Sequence, residues 1–163
     1  MHKYASPRHF YHLAGRLIPW AAGGTLALLA AGLYLGLFVA PPDYQQGESV
    51  RIMFVHVPAA WMSLFVYALM AGAGAVALTW NVKLAEVFAS SCAPIGASFT
   101  LLALVTGSLW GKPMWGTFWA WDARLTAELI LFFLYLGVMA LEASIEDARR
   151  AARAAAVPAR VGV

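Results

Sequence analysis

Charge is scarce in this chain. Of its 163 residues only 12% are Asp, Glu, Lys or Arg, about half the share usual for a soluble domain. Cysteine is nearly absent. Cys92, within an apolar stretch, is the one copy, so no disulfide framework and no CxxC or zinc-ligand spacing exists. It reads as a small packing residue. No nucleophile–base pair and no phosphate-binding loop is present, which leaves hydrolysis and phosphoryl transfer without support. The net charge of +3 is no footprint for nucleic acid, because the basic residues sit at the chain ends and in short loops. The start is expected to be an uncleaved first span rather than a secretory leader. Lys3, Arg8 and Arg16 precede an apolar run that continues from Leu17 to Ala40, well beyond an h-region of about 7–15 residues.

What remains is a membrane protein. Hydrophobic residues make up 62% of the chain, and mean hydropathy is +0.71. A helix needs about 20 apolar residues to cross the hydrocarbon core. Four runs qualify: Leu17–Ala40, Pro58–Trp80, Val87–Leu109 and Leu125–Leu141, the last extendable to Ile145. Pro58 is placed at the start of the second, since proline suits the first helical turn. The expected fold is therefore all-α, a polytopic transmembrane helix bundle of four spans. A tail (residues 1–16) precedes the membrane domain (17–145), and a second tail (146–163) follows it. Glycines and alanines such as Ala71-Gly-Ala-Gly-Ala75 would let helices approach closely.

Basic residues set the orientation. With four crossings Lys3, Arg8, Arg16, Lys83, Arg149, Arg150, Arg153 and Arg160 share one side, against Arg51, Lys112 and Arg124 on the other. The positive-inside rule then puts both termini in the cytoplasm. The 41–57 segment and the 110–124 loop face outward, which in a Gram-negative cell is the periplasm.

That second loop holds the chemistry. Trp110-Gly-Lys-Pro-Met-Trp-Gly-Thr-Phe-Trp-Ala-Trp-Asp-Ala-Arg124 carries four of the seven tryptophans: Trp110, Trp115, Trp119 and Trp121. Tryptophan favours bilayer interfaces in any case, but four within twelve residues exceed what anchoring requires. An aromatic platform with a few charges at a membrane surface suits a flat, apolar, anionic ligand such as a porphyrin. Asp122 is in place to cap the fourth helix, or to orient a tryptophan N–H or a ligand. Arg124, Lys112 and Arg51 could pair with anionic ligand groups or with lipid headgroups. Gly111 and Gly116 permit a tight turn or close backbone approach. Glu128, early in the fourth span, is a supporting candidate. His2, His9 and His12 lie in the tail, whereas His56 begins the second span on the outward side. A neutral imidazole can ligate haem iron, although a lone interfacial histidine is more often structural.

The pattern Trp110-Gly-x-x-x-Trp-Gly-x-x-Trp-x-Trp-Asp-x-Arg-Leu-Thr126 resembles the tryptophan-rich WWD signature of membrane proteins that handle haem in cytochrome c maturation. Phe54-Val-His-Val-Pro-Ala-Ala-Trp61 is similar to the histidine-bearing segment of one branch, the CcmC family. The resemblance covers about residues 15–145. It implies haem b as a transient ligand, held at the outer face of the bacterial inner membrane for delivery to the haem chaperone CcmE. It also implies CcmD and the CcmAB ABC-type complex as partners, in a component that is not an enzyme in its own right. By position, His56 corresponds to the first axial ligand. Trp115, Trp119, Trp121 and Asp122 correspond to the platform and chaperone-facing surface. Family members have six spans and a second axial histidine beyond the fourth, whereas no histidine follows His56 here. A C-terminally shortened chain is the reading this suggests. Two alternatives stand beside it: a transporter subunit whose tryptophans only anchor, and a fragment that inserts but binds nothing.

Overall fold

The computed structural model describes residues 7–145. The tails around them, with Lys3, Arg149, Arg150, Arg153 and Arg160, lie outside the described residues. The chain is all-α: α1 (Pro7–Tyr34), α2 (Met53–Trp80), α3 (Lys83–Trp115) and α4 (Ala123–Ala143). Each anchors a segment long and apolar enough to cross a membrane, as the four apolar runs lead one to expect. The helices outrun those apolar stretches. At 33 residues, α3 is roughly 50 Å long, well over the ~30 Å hydrocarbon core, so its ends extend into the interface. Pro58 does not start α2 as expected. The helix begins at Met53, after a 3-10 turn at Glu48–Ile52. Pro58 therefore lies inside it, with no N–H for the carbonyl four residues earlier.

Two units divide the chain at Phe54/Val55. In the first, α1 runs into a π-helical turn, Leu35–Val39. Leu26, Leu28 and Leu29 of α1 are exposed, which costs nothing where the solvent is lipid. An Asx turn follows, with Asp43 Oδ1 accepting the N–H groups of Gln45 and Gln46, both at 2.9 Å. Arg51 donates from Nη1 to the Leu37 carbonyl at 2.7 Å and pairs with Glu48. It thereby satisfies a carbonyl that the wide turn leaves over. Phe54 packs directly over Gly36, where a Cβ would come within 2.9 Å of the ring.

The second unit packs α2, α3 and α4 around Val66, Tyr67, Met70, Cys92, Ala93, Ala97, Leu131, Tyr135 and Val138. Cys92 is buried there as a packing residue. Asn81, with φ 52°, turns the chain between α2 and α3, and Ser90 Oγ donates to Glu142 Oε1 at 2.7 Å, tying the start of α3 to the end of α4. A stripe of small residues lets the helices close up. Ala93, Gly96, Ala97, Thr100, Ala103, Gly107 and Gly111 of α3 are all buried, at the three- and four-residue spacing of one helix face. Tyr135, fully buried, lies over Gly96 and donates its hydroxyl to the Ser63 carbonyl at 2.7 Å. Its ring meets Tyr67 edge-on at 5.4 Å. The Ala71–Ala75 run contributes less than expected: Ala71 and Gly74 are buried, but Gly72 faces open space.

Candidate functional site

His56, Trp110 and the first turn of α4 share one end of the second unit. The His56 ring reaches α3, where Nδ1 lies 3.0 Å from the Ala103 carbonyl oxygen and 3.1 Å from Thr106 Oγ1. A carbonyl can only accept, so Nδ1 is the donor and carries the proton. In the neutral ring that leaves Nε2 with a free lone pair, the state a metal requires. The ring fits because residue 107 is glycine. A Cβ there would stand 2.9 Å from His56 Cε1 and 3.5 Å from Leu125 Cδ2. The Trp110 ring lies 5.8 Å from the imidazole, inclined at 66°. Among the described residues no three His, Cys, Asp or Glu side chains cluster to hold a metal.

The tryptophan segment is less of a loop than its sequence suggests. Helix α3 continues through Trp110 and Trp115 and ends at Gly116, whose φ of 77° is left-handed. That conformation is easy for glycine, and it lets the Gly116 N–H close on the Lys112 carbonyl at 3.0 Å. The chain then folds back so tightly that a Cβ on Gly111 would stand 3.2 Å from the Thr117 carbonyl. Lys112 is engaged locally. Its Nζ donates to the Gly116 carbonyl at 3.0 Å and lies 5.3 Å above the Phe118 ring. Thr117 Oγ1 donates to the Trp119 carbonyl at 3.0 Å. Trp119 and Trp121 meet edge-on at 5.4 Å. Trp115 is 52% exposed, Phe118 54% and Trp121 77%, leaving an open aromatic surface. Trp119 differs from them. Its indole Nε1 is buried and, among the described residues, has no acceptor. A buried donor left unpaired is costly.

Asp122 caps α4. Its Oδ1 accepts the Leu125 N–H at 2.8 Å, and its Oδ2 pairs with Arg124 Nη2 at 2.9 Å. Both bonds hold the carboxyl below the usual aspartate range, the Leu125 N–H more than the guanidinium. The stabilisation this gives is full above the ordinary carboxylate range near ~4. It is lost as pH falls through the depressed value in the folded chain. The Asp122 carboxyl carbon, followed by NMR, is expected to titrate below an ordinary aspartate. A midpoint at or above the ordinary value would contradict the cap. Arg124 also lies 5.4 Å above the Trp115 ring, which joins the two ends of the segment. Glu128 is half-buried, and its Oε1 has no partner among the described residues.

Of the residues singled out from sequence, then, His56 and Trp110 stand in contact. Trp115 with Arg124, and Trp119 with Trp121, form neighbouring pairs. Arg51 is occupied with Glu48 and Leu37. Ala103, Thr106 and Gly107 were not singled out. Their only trace in the sequence is a threonine–glycine pair inside an otherwise apolar span.

The whole chain, residues 1–163, matches the family model described as Heme exporter protein C. It is similar to Heme exporter protein C of Bradyrhizobium diazoefficiens, at 58% identity over 97% of this chain and 60% of that protein. The protein of the same name from Haemophilus influenzae is 55% identical over 96% of this chain and 64% of its own length. That from Escherichia coli K12 is 51% identical over 100% of this chain and 66% of its own length. The chain thus spans 60–66% of the length of these curated relatives.

Proposed function

Because the chain belongs to the Heme exporter protein C family, we propose that it holds haem at the outward face of the membrane and hands it on for assembly of c-type cytochromes. The observation that carries this reading is the state of His56. Its Nδ1 is tied to a carbonyl oxygen at 3.0 Å, which leaves Nε2 able to ligate iron, and a tryptophan ring is 5.8 Å away.

The other residues fit the remaining parts of such a ligand. Trp110, Trp115, Trp119 and Trp121 supply aromatic surface for the porphyrin face. The Trp119 N–H, without an acceptor among the described residues, suits an acceptor brought by the ligand. Arg124 suits a propionate, and Asp122 steadies Arg124 at the start of α4. Haem, as haem b, is cargo here, and the protein's work is to bind, orient and release it. Any covalent attachment belongs jointly to the receiving chaperone, which we take to be CcmE. CcmD and CcmAB are the proposed membrane partners. Both termini are assigned to the cytoplasm and the Gly116–Asp122 turn to the periplasm of a bacterial inner membrane, on the distribution of Lys and Arg.

The test is equilibrium haem titration of the purified chain in detergent, compared with a Trp119→Phe, Trp121→Leu double variant. One haem per chain is expected. The variant should bind about tenfold more weakly, from the loss of roughly 1.4 kcal/mol of aromatic contact and donor. Equal affinities would reduce the tryptophans to membrane anchors, and a wild-type chain that binds no haem would sink the proposal.

A further inference from the structure

Threonines and serines are frequent in these spans, and most simply satisfy themselves. Thr79, Ser91, Ser98 and Thr100 each donate to the carbonyl four residues earlier, at 2.7–2.8 Å. That back-bond removes the cost of a hydroxyl in lipid and asks for no other role. Thr106 makes the same bond, to the Leu102 carbonyl at 2.6 Å. It differs in what stands across from it: Nδ1 of His56, on another helix, at 3.1 Å.

The accounting of protons is tight. A threonine hydroxyl has one hydrogen, and here the short bond to Leu102 uses it. Toward His56 the Thr106 oxygen therefore offers only lone pairs. The Ala103 carbonyl, 3.0 Å from the same nitrogen, also offers only lone pairs. A ring protonated on Nε2 alone would aim the bare Nδ1 lone pair at two acceptors. A ring protonated on Nδ1 gives both of them a hydrogen to share. On the other side of the ring edge, Gly107 admits Cε1 to a distance that no Cβ would allow.

We propose that Thr106 is a positioning residue: with the Ala103 carbonyl it holds the proton of His56 on Nδ1, so that Nε2 is presented bare, while Gly107 fixes how deeply the ring sits. The proposal rests on the reading of His56 as the haem ligand. The hydrogen-bond arrangement itself is a property of the chain without haem. Acceptors on Nδ1–H make the opposite nitrogen a stronger donor to a metal and restrict rotation of the ring. The position of Thr106, one residue before Gly107 on the face of α3 that meets α2, lets a single helix turn set both tautomer and depth.

Two readouts test it, one free of haem. The first is the ring nitrogen shifts of 15N-histidine-labelled chain in detergent, at about pH 8.5, above the ordinary histidine range. The His56 signals are assigned by their disappearance in His56→Gln. The wild-type chain is expected to show Nδ1 protonated and Nε2 bare. Thr106→Val, which keeps the shape but drops the oxygen, should move the His56 shifts toward a tautomer mixture, and Thr106→Ser should restore them. The second readout is haem affinity. About fivefold weakening is expected in Thr106→Val, the scale of one lost hydrogen bond. Recovery is expected in Thr106→Ser, and a larger loss in Gly107→Ala. A wild-type ring protonated on Nε2, or a Thr106→Val chain identical to wild type in both readouts, would overturn the proposal. The expected tautomer in a wild-type chain that binds no haem would instead overturn the haem reading, and leave the role of Thr106 in orienting the ring supported.

Discussion

A His56→Ala chain is expected to bind haem at least about 100-fold more weakly than wild type while keeping its fold. Losing a group that only supports a metal ligand commonly costs 10–100-fold, and loss of the ligand itself should cost no less. The fold should survive for structural reasons. His56 is half-buried at the end of the second unit, and it is not among the buried residues of its core. Its bonds go to the Ala103 carbonyl and the Thr106 hydroxyl. The hydroxyl keeps its own helical bond to Leu102 when the ring is gone. Equilibrium titration with haem, with helix content followed by circular dichroism, separates the two effects. Unchanged affinity in a folded variant would remove His56 from the site.

The second large effect concerns the packing that positions the site. Gly96→Ala would place a methyl group 2.0 Å from Cζ and 2.2 Å from the hydroxyl oxygen of Tyr135. That ring is fully buried, is bonded to the Ser63 carbonyl, and stands edge-on to Tyr67, so it has nowhere to retreat. Overpacking of this kind costs about 1–3 kcal/mol, and displacing the hydroxyl forfeits roughly 1 kcal/mol more. Gly72→Ala supplies the control. A Cβ at Gly72 meets nothing within 4 Å, and alanine is the better helix former by about 1 kcal/mol. Thermal unfolding in detergent is expected to show a clear fall in melting temperature for Gly96→Ala and none for Gly72→Ala. Similar melting temperatures for the two variants would mean that the α3–α4 contact is looser than described.

The four spans could be read from sequence because a membrane demands about 20 apolar residues per crossing, a signal carried by each run alone. The helix ends could not. Hydropathy falls at the membrane surface, while the ladder of backbone hydrogen bonds continues past it. Hence α3 reaches Trp115 rather than Leu109, and two of the four clustered tryptophans ride on a helix instead of a loop. Asp122 was legible as a cap because capping is local, fixed by one carboxylate and the N–H three residues on. The partners of His56 were not. A backbone carbonyl such as that of Ala103 has no residue code, and contact across 47 positions depends on how α2 and α3 pack. Small residues misled for the same reason. The Ala71–Ala75 run is conspicuous in sequence, yet the stripe from Ala93 to Gly111 is the one buried throughout. Composition shows which residues permit close approach, and only packing decides where it happens.

The most direct measurement is the visible absorption spectrum of the haem-loaded chain beside His56→Gly, with and without free imidazole. The expected result is an imidazole-ligated spectrum in the wild type, a shifted or absent Soret band in the variant, and a return toward the wild-type spectrum when imidazole enters the space the side chain vacated. Identical spectra in the two chains, or a variant spectrum that imidazole does not move, would contradict ligation of haem by His56.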